Sequence, residues 1–110
     1  MSSEQDLLEV MEVREDGRVR VRLRGEFDLV GAPVVAECLR SLRERHETVL
    51  LDLDELDFID MSGLRVLLMA AEDASRDGWT FTVTRGSPAV RRLLTLVHVD
   101  GQPPLDGSST

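Results

Sequence analysis

Hydrophobic residues follow two different periods along this chain. In segment 18–24 they alternate with arginines, and in segment 79–84 they alternate with threonines. Such alternation predicts strands with one buried face. Three other segments, which begin near Pro33, Leu64 and Pro88, carry apolar residues at i, i+3, i+4 and i+7. This spacing predicts three amphipathic helices, the second ending at Gly78.

Two further strands complete the pattern. Segment 7–13 is apolar with interspersed glutamates and precedes the turn signal Glu15-Asp16-Gly17, so it should pair with the arginine-bearing strand as a hairpin. The apolar run 48–53 predicts a short central strand, and the glycine-bearing segment 25–31 predicts a loop. The resulting order is β-β-α-β-α-β-α. We therefore predict an α/β fold, in which a mixed sheet of about four strands has its helices mainly on one face.

The length of 110 residues predicts a single domain over 1–110, with flexible ends at 1–6 and 101–110. No apolar run is long enough to span a bilayer, and the acidic N-terminus lacks the basic region of a signal peptide. The one cysteine, Cys38, excludes an internal disulfide and falls on an apolar helix face, where it should fill core space. We expect a cytoplasmic protein without membrane insertion.

The formal net charge of −8 disfavours binding to nucleic-acid phosphates or anionic lipid surfaces. Against this stand Arg18, Arg20, Arg22 and Arg24, which alternate along one strand and would form a basic stripe if their charges were left unbalanced. The favoured interpretation is a solvated strand face balanced by neighbouring acids. We therefore predict no direct nucleic-acid partner.

The chain lacks the residues that several kinds of catalytic chemistry require. The chain has no lysine for a Schiff base or a P-loop, and no tyrosine. Its two histidines, His46 and His98, are far apart, and no zinc-binding spacing or glycine-rich nucleotide motif occurs. We therefore expect no enzymatic activity, no catalytic residue, no cofactor and no metal.

Five acids near the end of the third predicted strand leave one alternative open. Carboxylates at that edge could hold Mg²⁺ and include a phospho-accepting aspartate, as in response-regulator receivers. The missing lysine and the small number of parallel βα units oppose this. The favoured interpretation is a set of acids in a solvated loop beside a helix N-terminus. The five are Asp52, Asp54, Glu55, Asp57 and Asp60.

Ser62 stands at the junction between the third strand and the second helix. A helix N-terminus presents unpaired N–H groups and a partial positive charge, so a phosphate on Ser62 would lie in a favourable field. The simpler interpretation is that Ser62 or Asp60 caps the helix, because caps are common at such junctions. The residues alone favour the cap.

Four passages resemble the STAS domain of anti-sigma factor antagonists. The most specific is the central signature, which the other three accompany in the expected order. They are Gly25-Glu26-Phe27-Asp28, Ala32-Pro33, Leu51-Asp52-Leu53 with Phe58-Ile59-Asp60-Met61-Ser62-Gly63-Leu64, and Pro88-Ala89-Val90-Arg91-Arg92-Leu93-Leu94.

The resemblance implies a partner-switching function. Family members bind an anti-sigma factor that is also a serine kinase, and they thereby release a sigma factor. The kinase phosphorylates the serine before the glycine, here Ser62, and the complex separates until a serine phosphatase restores the antagonist. The resemblance implies that Asp28 contacts the kinase. The partner-binding set expected from it, together with the exposed start of the helix, is Asp28, Asp60, Met61, Ser62, Gly63, Arg65 and Met69.

The chain departs from the family pattern at two places, and both bear on which partner it binds. Met61 stands where serine is frequent, and an exposed methionine would widen an apolar contact. From Gly101 onward the chain lacks the pattern of the usual final strand and helix. The alternative function is another STAS role, that of an accessory subunit of a lipid-transport ABC ATPase without a phospho-switch.

Overall fold

Four strands and three helices make up residues 8–96, which are the part of the chain that the computed structural model describes. The elements are β1 (Glu9–Glu15), β2 (Arg18–Phe27), α1 (Ala32–Glu44), β3 (Val49–Ile59), α2 (Met61–Asp77), β4 (Phe81–Val83) and α3 (Pro88–Leu96). The predicted order β-β-α-β-α-β-α is confirmed. The predicted flexible ends, 1–6 and 101–110, and the predicted departure from Gly101 lie outside the described residues.

The strands form one mixed sheet in the order β1-β2-β3-β4. β1 and β2 are antiparallel, whereas β2 with β3 and β3 with β4 are parallel. Asp16 and Gly17 join the hairpin with positive φ angles of 49° and 78°, which is the geometry of a type I′ turn. β1 ends two residues later than the predicted segment 7–13, because the strand continues up to this turn.

The core lies between the sheet and two helices. Val19, Val21 and Leu23 of β2 share a face with Val49 and Leu51 of β3, and all five are buried. The buried residues of α1 and α2 belong to the same hydrophobic cluster as these strand residues, so both helices cover this face, as the sequence predicted. α3 packs against β3.

The predicted strand ends were wrong at the carboxyl ends of β2 and β3. β2 continues through the predicted loop to Phe27, and β3 continues past Leu53 to Ile59. Two register shifts between these strands give β3 two extra residues relative to β2. The buried side chains of β3 then fall at Leu53, Leu56 and Ile59, three positions apart. Bulges of this kind break the period of two on which strand prediction depends.

β4 is also shorter than the predicted segment 79–84. Trp79 precedes it and stacks on Phe81, with ring centroids 5.0 Å apart. The indole Nε1 donates a hydrogen bond to the carbonyl oxygen of Glu47 at 2.8 Å. Trp79 is therefore held by packing and by one side-chain hydrogen bond rather than by backbone pairing between strands.

The predicted helix boundaries are confirmed where the signals were local. Pro33 lies in the first turn of α1, and Gly78 ends α2 in the left-handed conformation with φ of 75°. The Ser87 hydroxyl accepts a hydrogen bond from Val90 N at 3.3 Å, and Pro88 begins α3. Within residues 8–96 no helix has the length and apolarity needed to cross a membrane.

Cys38 lies on α1, half-buried against the core, in agreement with its predicted packing role. Burial raises the pKa of its thiol to about 12, and a hydrogen bond that Sγ donates to Glu12 at 3.2 Å acts in the same direction. The protonated thiol therefore persists throughout the neutral range, as expected for a residue whose role is packing.

Candidate functional site

Ser62 is the second residue of α2, at the carboxyl end of β3. Asp60 is the N-cap of this helix, and its Oδ1 accepts hydrogen bonds from Ser62 N at 2.8 Å and Gly63 N at 3.2 Å. Of the two residues that the sequence offered as a cap, the structure selects Asp60. Within residues 8–96 the Ser62 hydroxyl takes part in no hydrogen bond, so it is left for other chemistry.

Gly63 brings the first turn of α2 against the end of β2. A Cβ at this position would stand 2.6 Å from the carbonyl oxygen of Phe27 and 2.9 Å from its Cγ. Both contacts are far inside van der Waals distance, so a side chain would push the helix away from the strand. Asp60 N also donates to Phe27 O at 3.3 Å. Packing therefore fixes Ser62 relative to both strands.

Asp28 shapes the loop between β2 and α1. Its Oδ1 accepts a hydrogen bond from Val30 N at 3.1 Å, and its carbonyl oxygen accepts one from Ala32 N at 2.9 Å. Because Phe27 pairs with Ile59 across the parallel strands, Asp28 and Asp60 follow neighbouring strand ends. The structure thus brings the predicted residues Asp28 and Asp60–Gly63 to one edge of the sheet.

The other two predicted partner-binding residues continue along α2. Met61, Arg65 and Met69 are spaced by four residues and all are exposed, so they form a stripe on one side of the helix. Met69 lies about 12 Å from Met61 along the helix axis. It lines a groove of about 290 Å³ between α1 and α2.

The sequence analysis missed four exposed hydrophobic residues in the segments at the carboxyl ends of β2 and β3 and the start of α1. Leu29 and Val30 lie in the loop that Asp28 shapes, Val34 lies in the first turn of α1, and Phe58 lies near the end of β3. For Leu29 and Val30 the available signal was that large apolar side chains occupy a segment without strand or helix period. Such residues have no core to enter, which points to a contact surface.

The acidic residues serve separate local contacts. Asp52 is buried, which corrects its predicted place in a solvated loop: it accepts hydrogen bonds from Arg20 Nη1 at 2.9 Å and Arg22 Nε at 3.5 Å. Asp54 accepts one from Gly86 N at 3.0 Å. In residues 8–96, no group of three or more Asp, Glu, His or Cys residues is placed to hold a metal ion.

The arginine-bearing face of β2 is balanced by acids, as the favoured interpretation predicted. All four arginines have an acidic partner within 4 Å, and the buried Asp52 lies between two of them. The remaining pairs are Arg18–Glu15 at 3.3 Å, Arg20–Glu15 at 3.0 Å and Arg24–Glu55 at 3.7 Å.

Solved structures of anti-sigma factor antagonists resemble this chain. One from Mycobacterium paratuberculosis is 26% identical, with a TM-score of 0.73 over 83% of this chain and 78% of that chain. The antagonist SpoIIAA in its unphosphorylated form is 18% identical, with a TM-score of 0.65 over 80% and 79%. The Bacillus cell fate determinant SpoIIAA in its phosphorylated form is 17% identical, with a TM-score of 0.64 over 82% of each. The two SpoIIAA structures support the fold alone.

A family model described as the Mlab, STAS domain matches residues 10–105, which is most of the chain. The match includes all of the segments that form the Ser62 site, from the end of β2 to the first turns of α2. Together with the fold, this match identifies the chain as a member of the STAS domain family.

Proposed function

We propose that this protein is an anti-sigma factor antagonist, which binds an anti-sigma factor serine kinase, thereby releases a sigma factor, and is switched off by phosphorylation of Ser62. One observation carries the proposal. Asp60 supplies the helix cap, so the Ser62 hydroxyl stands at the start of α2 without a structural hydrogen bond of its own among the described residues. A kinase can modify it without removing a contact that holds the fold.

The switch is electrostatic in this proposal. A phosphate adds about −1.5 to −2 charges at neutral pH. It would join Asp28 and Asp60 at the same sheet edge, and the N-terminus of α2 would offset only part of the added charge. A partner surface that fits a neutral hydroxyl would then face desolvation and repulsion. A coupling of about 1–3 kcal/mol is enough to change affinity about 5–150-fold.

The proposed contact residues are those that the resemblance indicated. Asp28, Met61, Ser62 and Arg65 would face the kinase, with Met69 farther along α2. Asp60 and Gly63 would contact it through the turn that they hold in place. A serine phosphatase would restore the unmodified form, and we place this cycle in the cytoplasm. The likeness to the Mycobacterium paratuberculosis antagonist supports a regulatory role without catalysis.

Phosphorylation by the cognate kinase tests this function. Incubation of the purified protein with kinase and ATP should add one phosphate that mass spectrometry locates on Ser62. Ser62→Ala should remove the label, whereas Ser75→Ala, which changes an exposed serine on the same helix, should keep it. A label that persists in Ser62→Ala would contradict the assignment. Ser62→Asp should bind the kinase more weakly than the parent.

A second candidate is a STAS accessory subunit of a lipid-transport ABC ATPase, in which no phospho-switch operates. The description of the matching family model, the Mlab, STAS domain, does not mention sigma regulation, so family membership is compatible with both roles. Binding assays with each purified partner separate them. Binding to a transporter ATPase that Ser62→Asp leaves unchanged, together with no binding to the kinase, would favour the second candidate.

A further inference from the structure

α1 and α2 form a groove of about 290 Å³ between them, named here the interhelical groove. On α1 its lining residues follow the spacing i, i+3, i+4, i+7 from Ala36 to Arg43, and on α2 the same spacing runs from Val66 to Asp73. One face of each helix therefore lines the groove. Trp79, which precedes β4, completes the lining.

Two alanines leave room between the helices. Ala36 of α1 is exposed, whereas Ala70 of α2 is buried, and both line the groove. A longer side chain at either position would occupy the space that close packing normally fills. Met69 also lines the groove and is 57% exposed. The apolar lining is therefore accessible to a ligand from solvent.

The charged residues that line the groove already have partners. Arg40 forms ion pairs with two glutamates of its own helix. Arg43 reaches across to α2, where its Nη1 lies 3.3 Å from Asp73 and 3.0 Å from Asp77. A charged ligand would have to displace one of these partners or bring an unmatched charge against the apolar lining, which is costly. The lining therefore favours an uncharged ligand.

Several lining side chains are suited to contact with aromatic rings. The ring of Trp79 stacks on Phe81, and its indole N–H donates to a backbone carbonyl oxygen, so the protein itself holds the ring in place. Methionine sulfur and arginine guanidinium groups both make favourable contacts with aromatic rings, and the groove presents Met69, Arg40 and Arg43. An arginine can stack on a ring while its ion pair stays intact.

We propose that the interhelical groove binds an uncharged planar aromatic molecule of one or two fused rings. An engineered cavity of about 150 Å³ binds benzene, so a groove of about 290 Å³ has room for two fused rings. The ligand would contact Trp79 and Met69 and leave the ion pairs in place. This site goes beyond the proposed function and depends neither on the kinase nor on phosphorylation of Ser62.

Nuclear magnetic resonance of the full chain tests the site. Trp79 is the only tryptophan, so its indole N–H gives a single signal that reports on the lining of the groove. Titration of isotope-labelled protein with naphthol, an uncharged two-ring probe at neutral pH, should shift this signal with a Kd of about 1 mM or below, as expected for a ligand of this size. The absence of a saturable shift up to the solubility limit of naphthol would overturn the proposal.

A groove-filling substitution tests where the probe binds. Ala36→Leu extends a side chain into the groove from an exposed helix position and should weaken naphthol binding at least about tenfold, because the leucine occupies the space of the ring. Ala89→Leu makes the same change on α3, outside the groove, and should bind as the parent does. Equal binding by Ala36→Leu and the parent would show that the probe binds elsewhere. If Ala36→Leu unfolds at a temperature well below the parent, Ala36→Met takes its place with the same control.

Two related probes test the class of ligand. Decalol, the fully hydrogenated counterpart of naphthol, keeps the ring skeleton without aromatic faces and should bind about threefold or more weakly, because it lacks the aromatic contacts. Naphthoate adds a carboxylate to the same rings and should also bind more weakly, because the arginines are already paired. Decalol binding as tightly as naphthol would overturn the aromatic assignment. Tighter binding of naphthoate than of naphthol would show that the groove takes an anion instead.

Discussion

At the level of single residues, Asp60 and Ser62 would compete for the same backbone groups. The amides at a helix N-terminus are a favourable place for a phosphate, but those of Ser62 and Gly63 already bond to the Asp60 carboxylate. A phosphate on Ser62 would therefore meet a carboxylate where it would otherwise find free donors. The cap that frees the Ser62 hydroxyl also makes its modification electrostatically costly.

We expect Asp60→Asn to reduce the cost of phosphorylation. Asparagine keeps the side-chain oxygen that caps α2 but removes its charge, so the phosphorylated variant should lose less stability relative to its unmodified form than the phosphorylated parent does. Urea unfolding of four species, the parent and Asp60→Asn with and without phosphate on Ser62, measures this coupling.

Asp60→Ala serves as the control for the cap itself. It should cost about 1 kcal/mol in unmodified protein, because the amides lose their acceptor. If the phosphate changes the stability of the parent and of Asp60→Asn by the same amount, the Asp60 carboxylate does not oppose the phosphate.

At the level of elements, a buried carboxylate joins β2 to β3. Asp52 accepts hydrogen bonds from Arg20 and Arg22 of the neighbouring strand, and its Oδ1 accepts one from Asp54 N at 3.0 Å. The last contact lies at the first register shift, between the pairs Arg22–Asp52 and Arg24–Glu55. Asp52 therefore links the arginine-bearing strand to the bulge that sets the register of the site.

We expect Asp52→Ala to destabilise the protein by about 2 kcal/mol, because Arg22 and the Asp54 amide lose their acceptor and Arg20 keeps only Glu15. Glu55→Ala removes the acid of the exposed pair with Arg24 and should cost less than about 1 kcal/mol. Urea unfolding of both variants measures the difference. An Asp52→Ala variant no less stable than Glu55→Ala would show that the buried contact adds nothing.

Prediction from the sequence succeeded for elements whose signals were local. The three helices followed from apolar spacing, and the start of α1, the end of α2 and the start of α3 followed from Pro33, Gly78 and Pro88, because those signals lie within a few residues of the boundary. The ends of β2 and β3 were wrong because a bulge depends on how two distant segments pair. The burial of Asp52 could not be predicted for the same reason: its partner Arg20 is 32 residues away.

At the level of the whole molecule, the Ser62 site depends on parallel pairing. The sequence located Asp28, Asp60 and Ser62 through the family motif, but it did not show that the segment Asp28-Leu29-Val30 leaves the sheet next to the segment of Asp60 and Ser62. The two segments lie side by side because Phe27 pairs with Ile59, and no local sequence signal predicts that pairing. Functional residues in motifs were therefore predictable, whereas the surface around them required the fold.

Ion pairs that lower the pKa of two glutamates, Glu47 and Glu15, predict how stability depends on pH. Arg14 on β1 donates two hydrogen bonds to Glu47, which follows α1, at 3.1 and 2.9 Å. These bonds hold the pKa of Glu47 below its ordinary value of 4.5, against a smaller opposing effect of burial. Burial acts to raise the pKa of Glu15, but hydrogen bonds from Arg20 and Arg18 outweigh it, so this pKa is also lowered.

A lowered pKa in the folded state means that the folded protein binds a proton less readily than the unfolded chain. The contribution of each pair is therefore complete above about pH 4.5 and is lost as the pH falls through the folded-state pKa. We expect urea midpoints to decline as the pH is lowered from 6 to 3, and Glu47→Gln to decline less steeply than the parent. Glu72→Gln, at an exposed acid outside these pairs, should follow the parent. If Glu47→Gln and the parent decline in parallel, the contact between β1 and the end of α1 does not contribute to acid sensitivity.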